Sequence, residues 1–222
     1  MKKLVFLLFI ASFSVVSSQN QKLTATIIDF IRLDGDAFLG YDSFGFYYTI
    51  KNNVFSKISK RDTLEYKNIS LGKITTVDLQ NPLKIVLFYE NFNSVIVLDN
   101  QLNETQKINF SDHTIPIVAS AIGIASQNQL WIYNTMNQQL GLYDYLGNNY
   151  KTISVPFTEN IKHYSSDFNV FHWVDTKNNW YVCDIFGKII SKGIIPDYDS
   201  VTIINENQFI YSKNSILILE DV

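Results

Sequence analysis

SVIVLDNQLN (94–103), LGLYDYLGNN (140–149) and WYVCDIFGKI (180–189) are three versions of one phrase. Each opens with an alternating apolar strand that ends in Asp, passes through a short turn and continues as a second strand of mixed polarity. The matching residues are Asp99, Asp144 and Asp184. Carried backward, the same register reaches VFSKIS, ending at Ser59; carried forward, it reaches ILILE, ending at Glu220. The steps between these five positions are 40, 45, 40 and 36 residues.

Units of about forty residues with four strands each have the length of β-propeller blades. The first unit offers strands near 36–41, 45–51, 53–59 and 62–67, and the second near 72–78, 83–89, 94–99 and 104–110. The third offers 117–125, 129–134, 138–144 and 149–155, and the fourth 161–166, 170–175, 179–184 and 188–194. The fifth offers only 200–205, 208–213 and 215–220. The missing strand is expected from KLTATIID (22–29), whose pairing onto the last blade closes the ring and covers its edges. The expected fold is therefore all-β, a five-bladed propeller closed by the N-terminal strand of the mature chain. A β-sandwich of similar strand count is the alternative.

Composition agrees with this class. The 222 residues are 46% hydrophobic and 14% aromatic, with 28 Ile against 6 Ala and only 13 Gly plus Pro. Such a chain buries a core and prefers pleated surfaces to helices. A net charge of -3 with 18% charged residues leaves no basic footprint for nucleic acid or an acidic membrane surface.

Residues 1–18 join Lys2 and Lys3 to an apolar run from Leu4 to Val16 and a small-residue exit at Val16, Ser17 and Ser18. That is the pattern of a secretory signal peptide, too short for a bilayer span. The expected mature chain begins near Gln19, forms one propeller domain over 19–222 without a transmembrane segment, and is exported to the periplasm, outer membrane or exterior. One cysteine, Cys183, allows no internal disulfide, and its setting in WYVCD is that of a buried strand. Asn68, Asn103 and Asn109 begin Asn-x-Ser/Thr triplets, which carry glycans only in a eukaryotic secretory pathway.

The stretch VIVLDNQLNETQKI (95–108) resembles the strand, Asp-containing turn and strand of bacterial YVTN-like and quinoprotein-like propeller repeats. NPLKIVLFYENFNSVIVLDN (81–100) is similar to secreted propeller proteins of gliding-type, outer-membrane-bearing bacteria. The resemblance implies a propeller but brings no activity with it. Trp131, Trp173 and Trp180 do not recur at one repeat position, so nothing supports a quinone, and no cofactor is expected.

In a propeller, the loops leading into each innermost strand share a face with the hairpins that join second and third strands. The lead-in loops hold Arg32, Asp34 and Asp36, then Asp112 and His113, Glu159, and Asp197, Tyr198 and Asp199. The hairpins hold Asn52 and Asn53, Asn91 and Asn93, Asn134 and Asn137, Asn178 and Asn179, and Asn214. A ring of carboxylates and amides suits a cation, a sugar or a peptide, while Asn and Asp in tight turns also serve positive φ. Phe92, between Asn91 and Asn93, is expected at a loop tip where it can stack on a sugar or a partner's side chain.

A glycosidase needs two carboxylates flanking the bond, and Asp36, Asp78 and Asp167 sit on or beside the inner strands. His113, His163 and His172 have no metal-ligand spacing, and no nucleophile elbow, phosphate loop or Cys-x-x-Cys is present. No catalytic residue is assigned, and no metal site is decided. The binding residues expected are Phe92, Asn91, Asn93, Asp34, Asp36, Asp112, His113, Glu159, Asp197, Tyr198 and Asp199. The leading expectation is a non-catalytic scaffold of the cell envelope that binds a protein partner, as a subunit of an outer-membrane assembly or secretion complex. A carbohydrate-binding lectin and a glycosidase-like hydrolase are the alternatives.

Overall fold

Alternation survives inside runs that look uniformly apolar. The computed structural model describes residues 33–112, 116–214 and 216–221. In it, IVLFY (85–89) is buried throughout, yet its residues divide between two neighbours. Ile85, Leu87 and Tyr89 pack with Tyr48 and Phe55 of the preceding unit, whereas Val86 and Phe88 pack with Ile122, Ile124, Leu130 and Ile132 of the following one. A strand covered on both faces has no reason to show a polar side, so it reads as a continuous apolar run.

Five small antiparallel sheets result, each with its strands in chain order. Blade 1 is β1 (Ala37–Tyr41), β2 (Tyr47–Lys51), β3 (Val54–Ile58) and β4 (Thr63–Tyr66), and blade 2 is β5 (Thr76–Asp78), β6 (Ile85–Tyr89), β7 (Ser94–Leu98) and β8 (Glu104–Asn109). Blade 3 is β9 (Ala119–Ile124), β10 (Gln129–Asn134), β11 (Gln139–Asp144) and β12 (Asn149–Thr152), and blade 4 is β13 (Ile161–Ser166), β14 (Val170–Asp175), β15 (Asn179–Asp184) and β16 (Ile189–Ile194). Blade 5 has β17 (Ser200–Asn205), β18 (Gln208–Lys213) and β19 (Ile216–Asp221). This is a five-bladed β-propeller. Five separate meanders leave no place for the two large facing sheets of a sandwich.

The expected closing strand, 22–29, and the expected signal peptide, 1–18, lie outside the described residues. Within them, β19 pairs with β18 alone. No helix among the described residues is long and apolar enough to cross a membrane.

Apolar clusters fill the seams between consecutive blades. Blades 3 and 4 meet through Trp131, Tyr133, Leu140, Phe171, Trp173 and Cys183. Blades 4 and 5 meet through Val174, Trp180, Val182, Val201, Phe209 and Tyr211. Cys183 is fully buried, and desolvation, with the charge of Asp184 adding, pushes its thiol up to about 12, the state of an inert packing residue.

The repeated Asp is a turn device. Asp144 Oδ1 accepts the backbone N–H of Leu146 and of Gly147, both at 3.0 Å. Asp99 does the same for Gln101 and Asn103 at 2.8 and 2.9 Å, and Asp184 for Phe186 and Lys188 at 2.9 Å. Ser59 Oγ takes the same place for Arg61 and Asp62. Each closes the hairpin between third and fourth strands. Asp144→Ala is expected to cost about 1 kcal/mol, a fall in melting temperature of about 2–4 °C for a chain of this size. Thermal unfolding followed by circular dichroism checks it, and an unchanged midpoint would mean that the turn holds without its acceptor.

Candidate functional site

The hairpins joining second and third strands stitch each blade to the next. Asn53 donates from Nδ2 to the Gly72 carbonyl at 2.6 Å and accepts the Ile74 N–H at 2.8 Å. Asn93 repeats this one blade on, with the Ile117 carbonyl at 2.6 Å and the Ala119 N–H at 3.0 Å. Farther round, backbone alone does the work: Phe157 N–H donates to Gln138 O, and Ile195 N–H to Asn178 O. Asn52, Asn53, Asn93, Asn178 and Asn214 all have φ between 47° and 65°, where Asn is among the few residues tolerated. The Asn series thus serves backbone geometry and stitching. Of the two expected to bind, Asn93 has both amide atoms engaged inside the fold, while Asn91 is exposed.

The lead-in acids of blades 1, 4 and 5 are latched within their own blades. Lys51 pairs with Asp34, Lys177 with Glu159, and Lys213 with Asp197. Asp36 Oδ2 accepts the Asn52 N–H at 2.7 Å, and Asp199 Oδ2 accepts the Asn214 N–H at 2.9 Å. Tyr198 lies under Lys162, whose Nζ is 4.1 Å from the ring centre. Asp112 is exposed at the end of a short turn, and His113 lies outside the described residues. Lys51, Lys177 and Lys213 each stand directly before a hairpin Asn, as Lys51-Asn52, Lys177-Asn178 and Lys213-Asn214. That recurrence was the signal available in the sequence, and reading the Asn alone misses it. The acids are spread over separate blades, and among the described residues no three His, Cys, Asp or Glu side chains gather to hold a metal ion.

The three inner-strand acids do not converge either. Asp36 precedes β1 and Asp78 ends β5, while Asp167 follows β13, so Asp36 stands at the opposite end of the channel from the other two. Asp167 Oδ1 caps its own turn through Asn169 and Val170 N–H. Asp78 Oδ2 accepts Ile124 N–H at 2.7 Å, and Oδ1 accepts Gln80 N–H at 2.8 Å. Desolvation raises the Asp78 carboxyl above its ordinary range, opposed by these two bonds.

The free edge of β9 is capped a second time by Tyr164, whose hydroxyl accepts Ile122 N–H at 3.3 Å and reaches Thr76 Oγ1 at 3.5 Å. A Cβ at Gly123 would come within 1.9 Å of Ser166 Oγ. Side chains of blades 2 and 4 therefore meet over the backbone of β9. His163 and His172 are both held below the ordinary imidazole range by burial, and neither joins a catalytic arrangement.

Blade 2 breaks the latch pattern. Three residues before its inner strand, where blades 1 and 5 have Asp34 and Asp197, it has Lys73; at the end of its second strand, where they have Lys51 and Lys213, it has Tyr89, with Glu90 one residue beyond. The acid–lysine latch is absent, Lys73 and Glu90 are both exposed, and no ion pair joins them. Phe92, two residues past Glu90, is 50% exposed, its ring lying 3.0 Å from where a Gly72 Cβ would be. Gly72 has φ +69° and meets the ring without a side chain of its own. Beside Lys73 opens a cleft of about 710 Å³ between blades 1 and 2, lined by Asp36, Leu39, Ile50, Asn53, Lys73 and Thr76 among others.

Solved structures share this architecture. Virginiamycin B lyase from Staphylococcus aureus aligns with a TM-score of 0.55 at 15% identity, over 83% of this chain and 69% of that one. U3-55K aligns at 0.58 and 10% identity, over 83% and 60%. YCF48 bound to D1 peptide aligns at 0.57 and 11% identity, over 80% and 61%. At such identities the likeness shows the propeller fold alone. No protein-family model matches the sequence, and no curated protein matches it.

Proposed function

We propose that this chain is a non-catalytic binding propeller that docks a protein partner on the blade 2 sector of its loop face. The observation that carries the reading is the exposed, unlatched Lys73 and Glu90 near the exposed ring of Phe92, with Lys73 at the rim of the cleft. In blades 1, 4 and 5, by contrast, lead-in acids are paired with lysines of the same blade. Here both signs and an aromatic are offered outward, the combination that gives a protein interface its anchor and its register. The YCF48 structure with a peptide supports the reading by analogy of fold. The signal-like residues 1–18 support an exported protein, and we place it in the cell envelope, within an outer-membrane assembly or secretion complex.

Phe92→Ala is expected to weaken partner binding by about 1 kcal/mol or more, roughly fivefold in affinity, and to leave stability nearly unchanged. Lys73→Glu should weaken it through charge, with a loss that shrinks in high salt. Titration calorimetry with the partner recovered from crosslinked envelopes measures both. Equal affinity of parent and Phe92→Ala would remove the aromatic from the interface, and unfolding of Phe92→Ala would make it part of the core.

A further inference from the structure

Lys57 is the odd residue of its repeat position. When Ser59 is aligned with Asp99, Asp144 and Asp184, its counterparts are Val97, Leu142 and Val182, each buried and facing the next blade. Lys57 also faces the next blade, opposite Tyr48 on β2, and is only 4% exposed. An ammonium in such a place loses its hydration and needs compensation. It donates to the Asn100 carbonyl at 3.0 Å and sits 4.4 Å from the Phe46 ring centre. Of the three donors an ammonium carries, one is used, and no carboxylate among the described residues forms an ion pair with it. The Asp99 carboxyl, held low first by Asn103 and last by the charge of Lys57, is occupied by its own turn.

Lys57 lines a cavity of about 310 Å³ at the seam of blades 1 and 2, on the face opposite the hairpin loops. Its walls are mostly apolar, with Phe44, Phe46, Leu64, Pro82 and Leu83, and Asn100 and Gln101 complete them. Phe44 and Leu83 stand exposed at its rim. A buried cation with spare donors, at the side of an apolar cavity open to solvent, is the complement of a carboxylate on an apolar body. We propose that this cavity binds apolar carboxylates, with Lys57 Nζ pairing the anion and Phe44, Phe46 and Leu83 holding the apolar part. The chemistry is shared by aliphatic acids and by a peptide C-terminus that ends in an apolar residue. This site is separate from the partner surface around Phe92, and neither depends on the other.

The test is titration calorimetry with three probes: N-acetylphenylalanine, its C-terminal amide, and hexanoate. At least one acid is expected to bind, and the amide at least tenfold more weakly than N-acetylphenylalanine where that acid binds. Lys57→Met should abolish the heat while keeping the fold, because the other blades have apolar residues there, and Lys57→Arg should retain binding. Binding of N-acetylphenylalanine alone identifies a peptide terminus as the source; binding of hexanoate as well means that the anion and an apolar body suffice. No heat from either acid, equal heat from N-acetylphenylalanine and its amide, or undiminished binding by folded Lys57→Met would overturn the proposal. The comparison of acid with amide needs no variant, so it decides even if Lys57→Met fails to fold.

Discussion

A chain lacking residues 19–29 is expected to aggregate, or to lose a large part of its thermal stability. The reason is the state of blade 5. Among the described residues its last strand, β19, pairs only with β18, and Ile216, Leu217 and Leu219 on it are exposed. An apolar edge strand without a neighbour templates association with other chains. The spacing of the chain suits residues 22–29 to the role of a fourth strand beside β19. Connections from an outer strand to the next inner strand run over 67–75, 110–118, 153–160 and 195–199. A fourth strand at 22–29 would reach β1 through 30–36, which falls within that range of lengths. Size-exclusion chromatography and a thermal melt check the result. A deleted chain that stays monomeric with an unchanged midpoint would show that 22–29 closes nothing.

Trp173→Ala should have the next largest effect, about 3–5 kcal/mol, seen as a fall in melting temperature on the order of 10 °C. Trp173 is central in a column of rings running across the seam of blades 3 and 4. Its centroid lies 4.2 Å from Phe157 and 5.1 Å from Tyr181, and Phe157 lies 5.1 Å from Tyr133. The four rings are stacked, and Trp173 is 4% exposed, so truncation opens a cavity between blades and breaks three ring contacts, the tilted one to Phe171 included. Trp173→Phe should recover much of the loss. A fall of less than about 3 °C for Trp173→Ala would mean that the seam collapses around the missing ring.

The blades were legible because their punctuation is chemical. The acceptor at Asp99, Asp144 and Asp184 makes the same turn each time, so it recurs in the sequence at the blade period. Strand ends were less legible where tertiary bonds override pattern. The run expected at 72–78 is strand only over Thr76–Asp78, because Asn53 holds Gly72 and Ile74 for stitching instead. Likewise the strand expected at 149–155 stops at Thr152. There Ile153 and Ser154 N–H both turn to Leu140 O, and Ser154 Oγ accepts Leu140 N–H.

For the candidate site, residue type gave position but not occupation. Asp34, Glu159 and Asp197 do stand on the loop face, yet each is matched by a lysine of its own blade, a relation visible only once the hairpins are brought beside the lead-in loops. Phe92 was readable as a loop-tip aromatic. Its neighbours Lys73 and Glu90 were not, because their meaning lies in a contrast with the other blades.

The measurement that tests the binding surface most directly is site-specific photocrosslinking in the cell of origin, with benzoylphenylalanine placed at position 92 or at position 186. Phe186 is 85% exposed in the turn between third and fourth strands of blade 4, at the other end of the sheet from the hairpins, and serves as the comparison. A discrete protein adduct is predicted from position 92, lost when Lys73→Glu is added, with no adduct of that size from position 186. The same adduct from both positions, or one from position 92 that persists with Lys73→Glu, would contradict a partner surface built around blade 2.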